Sequence, residues 1–138
     1  MNGLQVYLNF NGNCKEALQF YHAELGGSLS IQVLADQKES SQFPDQFREK
    51  VVQGKLVLDT WTIFGTDLLD EKIYIKGTNI SLLLSFQSKA ELLERYQSMS
   101  KHGTQHAPPH SPDEQTCVGS FTDPYGVQWI LQYHNFVL

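Results

Sequence analysis

The residues that could do chemistry in this 138-residue chain are few and scattered. His102, His106 and His110 recur every four residues, a spacing that on a helix would line one face with imidazoles fit for a metal. Pro108 and Pro109 forbid that helix, so the three are read as loop histidines in solvent. Asp70 and Glu71 are adjacent, and in a strand their carboxylates would point to opposite faces, which argues against a shared acid–base dyad. Cys14 and Cys117 lie far apart, form no C-x-x-C pair and supply too few ligands for zinc, so they read as buried thiols. His22 reads as a surface or interface residue, and His134 is the one histidine kept as a pocket candidate. There is no Gly-x-Ser-x-Gly elbow, no phosphate-binding glycine loop and no dinucleotide fingerprint. What remains is amides, hydroxyls and aromatics such as Tyr7, Trp61 and Phe64, the materials of a small-molecule pocket.

Elements must position these groups. Leu4, Val6, Leu8 and Phe10 alternate with Gln5, Tyr7 and Asn9, the period of a half-buried strand. After the break Asn11-Gly12-Asn13, the residues Ala17, Leu18, Tyr21 and Leu25 recur at helical spacing over Cys14 to Leu25. Asn13 with Glu16 predicts a capping box, and Gly26-Gly27 a stop. The same grammar returns later. Ile80, Leu82, Leu84 and Phe86 alternate with Ser81, Leu83 and Ser85, and Ser88 with Glu91 is a second capping-box pair. Leu92, Leu93, Tyr96 and Met99 form the second apolar stripe, with Gly103 as its cap. Leu18 and Tyr21 correspond to Leu93 and Tyr96 at one offset of 75 (93 − 18 and 96 − 21). Strand-like stretches follow each helix: 29–34, 51–58 and 61–69, then 117–122 and 127–134 around an Asp123-Pro124-Tyr125-Gly126 turn. The polar stretches Ala35 to Lys50 and His102 to Thr116 are predicted to be loops.

The order is βαβββ twice, over about 1–72 and 73–138. It predicts an α+β domain in which the two repeats form an incomplete eight-stranded barrel, helices outside and a cleft inside. Alternation sends Gln5, Tyr7, Asn9, Ser81, Leu83 and Ser85 to the cleft, with Gln128, Ile130, Gln132 and His134 from the last strand. Val127, Trp129, Leu131 and Tyr133 then form the core side of that strand. Composition sets the outer bounds: 41% hydrophobic residues suit one domain with a core, and ten Lys+Arg against fifteen Asp+Glu argue against nucleic acid as a partner. No apolar run nears a membrane span and the first residues do not read as a signal peptide, so a cytoplasmic protein is expected.

Two motifs go further. Tyr7-Leu8-Asn9-Phe10-Asn11-Gly12-Asn13 runs into Glu16-Ala17-Leu18-Gln19-Phe20-Tyr21 and Leu25-Gly26-Gly27, and the chain closes on Phe121-Thr122-Asp123-Pro124-Tyr125-Gly126-Val127-Gln128-Trp129. In order and at this separation they resemble the PhnB-like branch of the vicinal oxygen chelate superfamily, which holds glyoxalases, bleomycin-resistance proteins and extradiol dioxygenases. The resemblance implies four cleft positions that carry His, Gln or Glu in metal-using members. Here they fall on Gln5, Asp70 or Glu71, Ser81 and Ile130, of which Ser81 is a poor ligand and Ile130 none. Gln53 stands where relatives often carry His, and Thr116-Cys117-Val118-Gly119 replaces a Trp-Gly segment, so the pocket lining differs. The resemblance also implies a homodimer.

Two functions follow. The first is a metal-free binding protein, its cleft lined by Gln5, Tyr7, Asn9, Gln53, Trp61, Asp70, Glu71, Ser81, Ile130, Gln132 and His134. Its ligand would be a small aromatic or cationic molecule, the cation being favoured by the net charge of −5. The second is a lyase, isomerase or transferase that uses a divalent metal as Lewis acid.

Overall fold

The computed structural model describes residues 1, 3–37, 40–42 and 44–135, apart from the side chains of Ser40 and Glu71. The chain divides into two compact units, Met1–Ile75 and Lys76–Leu138. The first holds β1 (Val6–Asn9), α1 (Cys14–Leu25), β2 (Ser28–Val33), β3 (Val51–Val57) and β4 (Thr62–Thr66). The second holds β5 (Leu82–Phe86), α2 (Lys89–Ser100), β6 (Thr104–His110), β7 (Thr116–Thr122) and β8 (Gln128–His134). This is the α+β, twice-repeated βαβββ order, and α2 begins and ends 75 residues after α1 (89 − 14 and 100 − 25).

Each unit has a four-stranded sheet, β1-β4-β3-β2 and β5-β8-β7-β6, and among the described residues no ladder closes the eight strands into a barrel. In both, the first strand pairs parallel to the last and the remaining pairs are antiparallel.

In the first unit α1 lays Cys14, Ala17, Leu18 and Tyr21 on a sheet face built from Val51, Leu56 and Ile63, all buried. A side chain of that size contributes about 1.5–3 kcal/mol when taken fully out of water. The helix sits close because Gly54 and Gly65, paired across β3 and β4, present no Cβ beneath it; one added at Gly65 would come within 2.8 Å of the Cys14 sulfur. In the second unit Leu92, Tyr96 and Met99 of α2 cover Cys117, Phe121, Trp129 and Leu131. The Tyr96 and Phe121 rings meet edge to face at 5.3 Å. The single proton of the Tyr96 hydroxyl is shared between the carbonyls of Ser120 (2.9 Å) and Ala107 (3.1 Å), which ties α2 to β6 and β7.

Several expectations need correction. Leu4 and Ile80 are not core residues: they are 95% and 72% exposed, because β1 and β5 begin only at Val6 and Leu82. Leu93 is 44% exposed; Leu92, one position earlier, carries the contact, since α2 is turned to bury 92, 96 and 99. His102 to Thr116 is not all loop. Thr104–His110 forms β6, and its prolines are tolerated because the strand is at the sheet edge with broken register around Ala107.

The Asn13 capping box does not form either, as Asn13 makes no side-chain cap. Its place is taken from across the unit by Asp67, 2% exposed, whose Oδ1 accepts from the N–H groups of Gly12 (2.9 Å) and Cys14 (3.0 Å). Oδ2 accepts from Val51 N–H at 3.0 Å, so one carboxylate locks the start of α1 to β3. Asp123 does comparable work in the second unit, accepting from Tyr125 and Val127 N–H and from the Trp129 indole at 2.8 Å. The turn it opens closes as expected, with Gly126 at φ 89° donating to the Asp123 carbonyl. Ser88 does cap α2, accepting from Glu91 N–H at 3.2 Å.

Candidate functional site

With one face of each sheet under a helix, the alternating residues stand on the other. In the first unit Lys55 is paired with Phe64, Phe64 with Tyr7, and Ser30 with Lys55, so one row crosses all four strands. The Tyr7 and Phe64 rings lie 6.0 Å apart and nearly parallel at 14°. Lys55 Nζ lies 5.8 Å from the Phe64 ring centre on the same face. The row beside it carries Gln32, paired with Gln53, and Asn9, paired with Thr66. Thr66 is turned inward and donates to the Val52 carbonyl at 2.8 Å. Tyr7 is 55% exposed, and Asn9, Gln53 and Lys55 are exposed as well. The face is an aromatic row edged by amides, with one cation.

The second unit is different in kind. Leu83 pairs with Ile130 and Ser85 with Gln132, whose amide donates to the Ser85 hydroxyl at 3.0 Å. Gln128 reaches the Gly77 carbonyl at 2.9 Å and lies 3.5 Å from the Ser81 hydroxyl. His134 ends β8, exposed and paired with Thr116. This face is aliphatic in its middle row and its amides are engaged with neighbours.

The positions that the resemblance marks for metal ligands fall two in each unit: Gln5 just before β1 and Asp70 beyond β4 in the first, Ser81 just before β5 and Ile130 on β8 in the second. In the second unit Leu83 pairs with Ile130, one row along from Ser81 and Gln128. Asp70 lies four residues beyond β4, in a turn where its Oδ1 accepts from Lys72 N–H at 2.9 Å; the Glu71 side chain falls outside the described set. Of the four marked positions, Gln5 and Asp70 carry oxygen donors, but Ser81 is a poor ligand and Ile130 has no donor atom, so the set does not fit a divalent ion well. Among the described residues no three His, Cys, Asp or Glu side chains converge. His106 and His110 lie four residues apart on β6, roughly 13 Å along an extended strand, and His106 is engaged by Thr122 Oγ1 at 2.7 Å. Cys14 and Cys117 are free, buried thiols. Burial, with the nearby Asp67 carboxylate, pushes the Cys14 thiol up to about 12, so it offers no thiolate nucleophile near neutral pH.

Asp70 instead helps line a cleft of about 630 Å³ within the first unit, together with Leu34, Phe47, Lys50, Leu68 and Lys72. Trp61 stands in the β3–β4 turn, where its carbonyl accepts from Leu58 N–H at 2.9 Å, outside the strand rows.

The family profile described as 3-demethylubiquinone-9 3-methyltransferase matches residues 2–132. The chain belongs to that family, the PhnB-like branch of the vicinal oxygen chelate superfamily. Among solved structures this PhnB-like chain is similar to protein PA1353 from Pseudomonas aeruginosa, at 28% identity and a TM-score of 0.77 over 96% of this chain and 98% of that one. It is also similar to the PhnB protein from Bacillus cereus (20%, TM-score 0.76, covering 94% and 98%). A glyoxalase-related enzyme from Fulvimarina pelagi shares the fold at 14% identity and a TM-score of 0.61, covering 97% and 89%. Comparison with curated proteins gives no match.

Two features of this PhnB-like chain were missed in the sequence. Lys55 sits in a stretch, Val51 to Leu58, whose inward side is marked by glycine as well as by leucine; counting Gly54 with Leu56 as inward would have turned Lys55 outward. Asp67 had no local signal, because its partners lie 16 to 55 residues away.

Proposed function

We propose that the chain is a metal-free small-molecule-binding protein of the glyoxalase/bleomycin-resistance type, with its ligand held on the first sheet's open face. The observation that carries this is the Tyr7–Phe64 pair: two near-parallel rings, the first more than half exposed, with the Gln53 and Asn9 amides in the next row. A folded domain keeps large aromatics in water at a cost, and an aromatic row with a few polar groups beside it suits a flat organic molecule. Ser81 and Ile130 at two of the four marked positions support the metal-free part of the reading. The homodimer that the resemblance implies belongs to the same proposal; sedimentation should return twice the mass, and a clean monomer contradicts it.

Thermal unfolding tests the binding and metal parts together. A compound that binds only the native state adds about 2.7 kcal/mol at a hundred times its Kd, a readily measured rise in midpoint. Flat aromatic compounds should raise the midpoint in wild type and clearly less in Tyr7→Ala, while Ni²⁺, Zn²⁺ and Mn²⁺ should leave it unchanged. A saturable rise with any of the three ions overturns the metal-free reading, and equal rises in wild type and Tyr7→Ala overturn the site.

A further inference from the structure

We propose that the ligand of the first sheet's open face is a planar anion: a flat conjugated ring carrying a carboxylate or comparable acid group. The ring covers Tyr7 and the acid group reaches Lys55. The proposal rests on the reading that this face binds a small molecule, and it adds the sign of the ligand's charge.

Three observations point to an anion. Lys55 is the one charged side chain among the strand residues of this face; the others are Tyr7, Asn9, Ser28, Ser30, Gln32, Gln53, Val57, Thr62, Phe64 and Thr66. Among the described residues no carboxylate pairs with Lys55, which instead holds its ammonium 5.8 Å from the Phe64 ring centre. Lys55 is exposed at the edge of an aromatic row, so a ligand lying on the rings can bring an acid group to its ammonium. Its strand neighbours are neutral, since Ser30 and Phe64 flank it across the ladders.

The net charge of −5 favours a cation, yet it does not decide this site. Charges spread over the surface are screened within about 8 Å at physiological ionic strength, whereas Lys55 would be in contact with the ligand's acid group. The local charge therefore outweighs the sum. A cationic ligand would have to displace or tolerate the ammonium that already occupies the Phe64 ring.

Three probes of one shape and different charge test this: 2-naphthoate, 2-naphthamide and 2-naphthylmethylammonium. Each is titrated into the full-length ¹⁵N-labelled chain, and Kd is read from the amide shifts of Tyr7, Lys55 and Phe64. Naphthoate should bind about tenfold tighter than the ammonium, the scale of one charge-assisted contact. Lys55→Gln should bring naphthoate to the affinity of the amide, and Lys55→Arg should keep the preference. If the ammonium binds as tightly as naphthoate, or Lys55→Gln leaves naphthoate unchanged, the anion is wrong and the face still stands as a binding surface. If none of the three moves Tyr7, Lys55 or Phe64, both the anion and the site are overturned.

Discussion

Removing the Asp67 carboxylate should strongly destabilise the first unit. Its two oxygens accept three backbone N–H bonds, from Gly12, Cys14 and Val51 at 2.9, 3.0 and 3.0 Å. The Cys14 and Val51 bonds are buried and the Gly12 bond partly so, which leaves water little access to replace the lost partner. A buried donor left unpaired costs about 1–3 kcal/mol, so Asp67→Ala should lose roughly 4 kcal/mol. For a chain of this length that is on the order of 10–15 °C in Tm. Asp67→Asn keeps one acceptor oxygen and turns an NH₂ group toward the other donors, so about half that loss is expected. Urea denaturation and thermal melts of both variants read these values. Asp70→Ala is the control: its carboxylate is exposed and bonds only within its own turn, so it should stay within about 0.5 kcal/mol of wild type. If Asp67→Ala melts with Asp70→Ala, the carboxylate does not hold the start of α1, and the account of the first unit fails.

Other outcomes follow from the same packing. Gly103→Ala should destabilise by about 2 kcal/mol or more, because its new Cβ would run into the Thr122 backbone carbonyl. Gly77→Ala, which would meet only the Asn79 side chain at 3.3 Å, should be near neutral in the same melt. The Cys14 thiol is raised in the folded state, so its contribution is complete below pH 9 and is lost as pH rises toward 12, where the unfolded chain ionises first. Cys14→Ala should therefore show a shallower fall in stability than wild type between pH 9 and 11, and native Cys14 should resist iodoacetamide at pH 8. Tyr7→Ala should change stability by less than about 1 kcal/mol, because the ring is more than half exposed, while weakening aromatic ligands severalfold.

The repeat was legible because each unit's core lies on local periods. The helices at Cys14–Leu25 and Lys89–Ser100 and the inward side of β8 could be read from spacing alone. The edge strand β6 was not, since Pro108 and Pro109 look like loop residues unless the strand is known to be at an edge. Helix rotation was legible only to within one residue: of the neighbours Leu92 and Leu93, both expected in the stripe, only Leu92 is buried. For the site, alternation gave the faces of Tyr7, Asn9, Gln132 and His134, but rows across strands depend on register. That is why the row joining Ser30, Lys55, Phe64 and Tyr7 could not be read from any one strand. Gly54 and Leu56 turn Lys55 outward, but its place beside Phe64 depends on the β3–β4 ladder, which the sequence does not print.

The most direct measurement is an amide shift map of the ¹⁵N-labelled chain against a set of small aromatic fragments. Binding on the first sheet's open face should centre the perturbations on Tyr7, Asn9, Gln53, Lys55 and Phe64, on β1, β3 and β4. Perturbations confined to the cleft at Leu34, Phe47, Lys50 and Lys72, or to β5 and β8, would contradict it.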